Sequence, residues 1–150
     1  MKAVITRCTE ARVTVTHDDG TVETVGELPE PGLLMLVGVT HDDGERDAEK
    51  IVNKTLGLRI LADETSVLDR KAPVLVVSQF TLYGNVRKGR RPSWSKAAGR
   101  AVAEPMVNRV VELLREAGVR VETGRFGAMM QVHSVNDGPF TVLLDSAELA

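Results

Sequence analysis

Aromatic side chains are scarce in this sequence: three Phe, one Tyr and one Trp among 150 residues. The core cannot rest on packed rings and must be assembled from Val, Leu, Ile, Ala and Met. Cysteine occurs once, at Cys8, which excludes an intrachain disulfide and suits a reducing compartment. No apolar run approaches the roughly 20 residues of a membrane helix. The longest, Gly32 to Val39, falls far short, and Met1-Lys2-Ala3-Val4-Ile5 turns polar too soon for a secretory signal. His17, His41 and His133 have no metal-ligand spacing, and there is no C-x-x-C. These absences set the expectation of a cytoplasmic protein without membrane partner, metal or cofactor.

What is present fits one domain over residues 1–150, with 43 % apolar and 27 % charged residues. Net charge is −2, but its distribution is uneven. From Asn85 to Arg100 there are six basic residues and no acidic one, while the rest of the chain carries 13 basic and 21 acidic residues. A single basic tract therefore sits on an otherwise acidic protein.

Period-2 alternation predicts two short strands, Ala3–Arg7 and Arg12–Thr16, then a turn at His17-Asp18-Asp19-Gly20 and a return strand Val22–Leu28. Leu33–Val39 and Val74–Ser78 read as strands buried on both faces. Asp42 and Glu45 have capping-box spacing at the head of a helix that Gly57 stops. A second helix is predicted with Pro105 near its start, an apolar stripe through Met106, Val107, Val110, Val111 and Leu114, and Gly118 as its stop. Val119–Glu122, Met129–Val135 and Phe140–Leu144 read as further strands, the last two joined by Asn136-Asp137-Gly138-Pro139. Seven or eight strands and two helices predict an α+β fold: a curved antiparallel or mixed sheet or small barrel with two main helices packed outside.

Three stretches could carry chemistry. Ser78-Gln79-Phe80-Thr81-Leu82 ends an apolar strand, where backbone N–H groups are fixed and can hold a developing oxyanion. The hydroxyls of Ser78 and Thr81 have no sequence-adjacent base, and the stretch also reads as a polar strand end before a turn. Gly84-Asn85-Val86-Arg87-Lys88-Gly89-Arg90-Arg91 is a near miss to a phosphate-binding loop, G-x-x-x-x-G-K-[ST]. Arg90 and Arg91 stand where the lysine and hydroxyl should be, which excludes a nucleotide triphosphatase. A basic loop on a sugar-phosphate backbone fits better, with Trp94 nearby as a stacking surface; a merely solvated loop is the plainer alternative. Asn136-Asp137-Gly138-Pro139 reads on its own as a tight turn.

Together these stretches resemble the D-aminoacyl-tRNA deacylase family. The likeness runs along essentially the whole chain. It is sharpest in Ser78-Gln79-Phe80-Thr81-Leu82, in Phe126-Gly127-Ala128-Met129-Met130 and in Asn136-Asp137-Gly138-Pro139-Phe140-Thr141. The first and last match the family's S-Q-F-T and N-x-G-P-x-T signatures. The achiral relatives carry a Pro-Gln-Ala-Thr type signature instead, so Ser78 and Phe80 place the chain with the chirality-reading type. Phe140 departs from the valine or isoleucine common after the Gly-Pro.

The resemblance implies a homodimeric hydrolase, without metal, acting on the ester between a D-amino acid and the 3′ end of an aminoacylated tRNA, and on glycine mischarged on tRNA for alanine. It implies that Gly138-Pro139 is cis and enters the partner subunit's pocket, where its carbonyls meet the substrate amine and leave no room for an L side chain. Rejecting an enantiomer needs an unyielding wall, and a main-chain probe has no side chain that can swing away. Expected catalytic residues are Ser78, Gln79, Phe80 and Thr81. Expected substrate-binding residues are Gly138, Pro139, Phe126, Ala128, Met129, Asn136 and Arg7, with the Arg7 fork of donors holding the Gly138-Pro139 carbonyls. Arg87, Lys88, Arg90 and Arg91 are expected on tRNA. Water attack, with N–H groups near Phe80 and Thr81 holding the oxyanion and the tRNA 2′-hydroxyl assisting, is the preferred mechanism. A Thr81 nucleophile is its rival, and a non-catalytic RNA-binding module is the alternative of a different class.

Overall fold

The structure, a computed structural model, describes residues 1–150. Strand β1 (Lys2–Thr16) is 15 residues long and does not split into the two short strands that alternation predicts. Its first half pairs antiparallel with β3 (Gly32–Gly38), and its second half pairs antiparallel with β2 (Val22–Glu27). Along its other edge lies β6 (Met130–Asp145), also antiparallel, from Lys2 to Val15. Pairing of Cys8, Glu10 and Ala11 with β6 carries β1 across the junction between its other two partners.

The sheet continues from β3 to β4 (Val74–Ser78) and β5 (Val121–Thr123) through parallel pairings, giving the order β2-β1-β3-β4-β5. The two ends of that order meet. A Cβ added at Gly26 of β2 would lie 2.1 Å from the Thr123 carbonyl oxygen of β5. The mixed sheet is therefore nearly closed into a barrel, and only a residue without a side chain lets the seam come together.

Alternation along the strands feeds two cores. Ala3 and Ile5 of β1, Leu33, Met35 and Val37 of β3, and Val74 and Val76 of β4 face the helices. Cys8, Ala11 and Val13 of β1, Leu34 of β3, and Leu75 and Val77 of β4 fill the barrel. Strands β3 and β4 are thus buried on both faces, as their unbroken apolar runs predict. Helix α1 (Glu45–Gly57) and helix α3 (Arg100–Glu116) cover one face of the sheet, with the single turn α2 (Val67–Arg70) beside them. Arg109 ties α3 to α1 through Glu45 at 2.8 Å. No helix is long and apolar enough to cross a membrane.

Three local expectations are corrected. Helix α1 is capped at Gly44 by the Asp47 side chain, which accepts from Gly44 N at 2.9 Å. Asp42, the expected cap, lies outside the helix two residues before Gly44, and Glu45 is the first helical residue rather than the third. Helix α3 starts at Arg100, so Pro105 lies inside it rather than near its start. The proline forfeits one hydrogen bond, to the Ala101 carbonyl, on an exposed part of the helix that solvent reaches. The third concerns Asn136-Asp137-Gly138-Pro139, which does not join two strands. Strand β6 runs through it, and between the pairs Thr6↔Thr141 and Cys8↔Asn136 the single residue Arg7 faces four residues of β6. That mismatch extrudes residues 137–140 as a bulge. The sheet therefore has six strands rather than seven or eight.

The seam gives a test. Gly26→Ala should destabilise the protein by about 1–3 kcal/mol, the usual cost of overpacking. Gly57→Ala, where an added Cβ meets nothing within 4 Å, should not. Equal urea midpoints for the two variants would contradict the closed seam.

Candidate active site

Strand β4 ends at Ser78, beside Val37 of β3. The Gln79 N–H makes one more ladder bond, to Val37 O at 2.7 Å, and the Gln79 backbone then leaves the strand conformation. Phe80–Tyr83 follow as a single 3-10 turn. Its closing bonds run from Leu82 N to Gln79 O at 3.3 Å and from Gly84 N to Thr81 O at 2.9 Å. The N–H groups of Phe80 and Thr81 have no acceptor within the chain, as the start of a helical turn requires. The sequence thus creates two adjacent free donors by stopping a ladder and starting a turn.

Phe80, at the head of that turn, borders a cleft of about 440 Å³. One wall is Val37, Val39 and Val77 from the sheet, a second is Ala103 and Val107 from α3, and a third is the loop Phe126–Met130. Ser78, Gln79 and Phe80 form the fourth. A polar recess of about 320 Å³, lined by Asn108, Glu112, Arg115 and Thr123, adjoins it across Ser78, Val107 and Phe126. Six of the expected residues therefore share this cleft: Ser78, Gln79, Phe80, Phe126, Ala128 and Met129 all line it. Thr81 stands next to it, its hydroxyl accepting a hydrogen bond from Gln79 Nε2. No His, Asp or Glu side chain is hydrogen-bonded to the Ser78 or Thr81 hydroxyl, so neither is set up as a base-activated nucleophile.

Arg100 was not singled out as a cleft residue by its sequence, where it merely closes the basic tract. It opens helix α3, lines the cleft, and lies over the Phe126 ring at 5.6 Å. A cation at a helix N-terminus opposes the helix dipole. Its partner Glu104, 2.8 Å away and one turn on, offsets this and raises the pKa of the guanidinium. Ala103 and Val107 were also missed as cleft residues, because the inner stripe of α3 reads as ordinary core.

The remaining expected residues lie elsewhere. Arg7, Asn136, Gly138 and Pro139 contribute nothing to the cleft of their own chain. They form the bulge on β6. Arg7 Nε donates to Asp137 O at 2.9 Å, Nη2 to Gly138 O at 3.2 Å and Nη1 to Ile60 O at 3.2 Å. The guanidinium lies 4.7 Å over the Phe140 ring, and the Asn136 amide donates back to Arg7 O at 3.0 Å. Arg7 thus grips the carbonyls of Asp137 and Gly138; the pair expected from the sequence was Gly138 and Pro139. Phe140, the departure from the common pattern, serves as a face for the arginine. The Gly138-Pro139 peptide is cis, and the space around Gly138 is open, with nothing within 4 Å of where a Cβ would stand.

The basic tract forms a hairpin. Asn85 and Ser93 bond each other's backbone at 2.8 and 2.9 Å, and Gly89 turns the chain with φ +71°. Arg87, Lys88, Arg90 and Arg91 project from it exposed, and none forms an ion pair with a carboxylate. Trp94, at its base, meets Phe80 of the cleft edge-on, with ring centroids 5.3 Å apart. Cys8 is buried in the barrel, and burial pushes its thiol pKa up, so it is an inert packing residue.

A family model described as D-Tyr-tRNA(Tyr) deacylase matches residues 4–145. The chain is 60 % identical to a D-aminoacyl-tRNA deacylase of Thermobifida fusca over 97 % of its own length and 99 % of that protein. It is 55 % identical to a D-aminoacyl-tRNA deacylase of Streptomyces avermitilis over 97 % of its length and 100 % of that protein. Among solved structures it is similar to a c-Myc DNA Unwinding Element Binding Protein, with TM-score 0.85 and 39 % identity over 97 % of this chain and 98 % of that one. A probable eukaryotic D-amino acid tRNA deacylase shares the fold, with TM-score 0.81 and 18 % identity over 95 % and 97 % of the two chains.

Proposed function

This chain, matched from residue 4 to residue 145, belongs to the D-Tyr-tRNA(Tyr) deacylase family, and on that premise we propose that it hydrolyses the ester joining a D-amino acid to the 3′ end of tRNA. It is an enzyme of the ester-hydrolase class. Glycine mischarged on tRNA for alanine is a second substrate in this reading, since glycine has no L side chain to exclude.

The observation that carries the proposal is the division of one chain into two halves that do not meet. The cleft has apolar walls and, at its edge, the turn whose Phe80 and Thr81 N–H groups are free. The Gly138-Pro139 bulge lies outside that cleft, with the Asp137 and Gly138 carbonyls held by Arg7 and the space beside Gly138 open. A homodimer joins them: the bulge of one protomer enters the cleft of its partner. Strand β6 supports this, because it pairs only with β1 and exposes Val132, Val135 and Leu143 along an open edge. An exposed apolar edge is otherwise a liability for a strand.

In the assembled site the aminoacyl ester lies against Phe80 and the Phe126–Met130 loop. The partner's bulge carbonyls accept hydrogen bonds from the substrate ammonium and fix the α-carbon. A D side chain then points outward, and an L side chain points into the main chain. Water attacks the ester carbonyl, and the N–H groups of Phe80 and Thr81 receive the charge that develops on its oxygen. The tRNA 2′-hydroxyl assists proton transfer, which explains why no protein base stands beside Thr81. Arg87, Lys88, Arg90 and Arg91 hold the RNA backbone.

Deacylation of D-Tyr-tRNA against L-Tyr-tRNA by the purified protein tests the function. Selective release of the D residue is expected. RNA binding with turnover of neither substrate would leave a non-catalytic binding module in its place. Thr81→Ala should lower kcat by no more than about tenfold, or ~1.4 kcal/mol; a loss of several orders of magnitude would make Thr81 the nucleophile. Arg7→Ala should release the bulge and raise L-Tyr-tRNA turnover relative to D. Unchanged L-rejection in a folded variant removes Arg7 from chiral selection.

A further inference from the structure

Two of the five aromatic residues in the chain, Phe80 and Trp94, stand exposed side by side at the mouth of the cleft. In a protein so poor in rings this placement is costly, since burying a large apolar side chain stabilises a fold. Trp94 is 44 % exposed yet firmly positioned. Its indole lies on Gly84, where an added Cβ would come within 2.8 Å of the ring. The backbone on either side is pinned. Ser93 pairs with Asn85, the Ser95 carbonyl is bonded to His41 Nε2 at 2.7 Å, and the Thr40 hydroxyl donates to Lys96 O at 2.6 Å. Ala98 N donates to Val39 O at 2.9 Å, which ties the segment to the cleft wall.

The surroundings select the occupant. The hairpin above Trp94 presents four exposed cations with no carboxylate paired to them, and no acidic residue occurs from Asn85 to Arg100. An apolar ring at the foot of an uncompensated cationic hairpin is complementary to a ligand that alternates flat bases with phosphates. Trp94 is also one ring beyond Phe80, hence one step outside the cleft that takes the aminoacyl ester. We propose that Trp94 is the stacking platform for a nucleobase of the unpaired RNA just before the terminal adenosine, and that the hairpin cations follow its phosphates. This inference rests on the tRNA-end reading of the cleft. In this role Trp94 is a binding residue, and through its edge-on contact with Phe80 it braces the cleft wall on the ester. Stacking on any base is sequence-tolerant, so the contact serves every tRNA.

Trp94 is the only tryptophan, which makes its fluorescence a direct report. The oligoribonucleotide ACCA, titrated into the intact protein, should quench that emission, and adenosine alone should not. Trp94→Ala should weaken ACCA binding about tenfold or more by a label-based measurement, with Trp94→Phe recovering most of it. In turnover, Trp94→Ala should raise KM for D-Tyr-tRNA about tenfold relative to its effect on the D-tyrosyl ester of adenosine, which carries no further nucleotide. ACCA that binds without changing the emission overturns the proposal, as does an equal effect on the two substrates. An emission change that follows protein concentration without RNA also overturns it, by assigning Trp94 to a contact between copies. The fluorescence arm needs no turnover, so failure of the deacylase reading would be seen separately.

Discussion

The pairing of β1 with β6 is the interaction on which the other features depend. One 15-residue strand supplies hydrogen bonds to β3, β2 and β6, so it joins β2 and β6 to the rest of the sheet. If β1 broke near Cys8, β2 would lose the register that sets Gly26 against Thr123. The same pairing also contains the one-for-four mismatch at Arg7. A strand forced to stay in register on both sides of that point must push its surplus residues outward. The bulge at Gly138-Pro139 is thus a by-product of continuity in β6, and Arg7 faces it because Arg7 is the residue left without a regular partner.

A similar economy produces the cleft. The end of the β3–β4 ladder and the start of the 3-10 turn leave the Phe80 and Thr81 N–H groups unpaired. Helix α3 and the loop after β5 supply apolar walls to the cleft that Phe80 borders. Charge enters only at the rim, through Arg100 and the hairpin. A site of this kind has apolar walls and a cationic approach, which suits an ester carried on a polyanion.

Much of the fold was legible in the sequence. β3 and β4 were readable because both of their faces are buried, and α1 and α3 because each has one apolar stripe. The continuity of β1 and β6 was not, since it is decided by partners across the sheet rather than by local pattern. The bulge has the composition of a turn, and Asn-Asp-Gly-Pro gives no sign of a strand running through it. At the site, the motif residues that line the cleft were found by resemblance. Arg100 was hidden in a charge tract, and Ala103 and Val107 in a helix stripe that reads as core. Phe80 and Thr81 were named for their side chains and also for their main-chain N–H groups, and it is those N–H groups that the turn leaves without an acceptor in the chain.

That last distinction bears on how such a protein can change over generations. A donor belonging to the main chain is inherited by every sequence that keeps the fold. At Phe80 and Thr81, no single substitution except proline deletes an N–H. Drift in side chains can reshape the walls, the charge of the approach and the ring at the mouth, while the pair of amides persists. On the proposed mechanism, substrate range is free to diversify around a pair of amides that mutation can hardly reach.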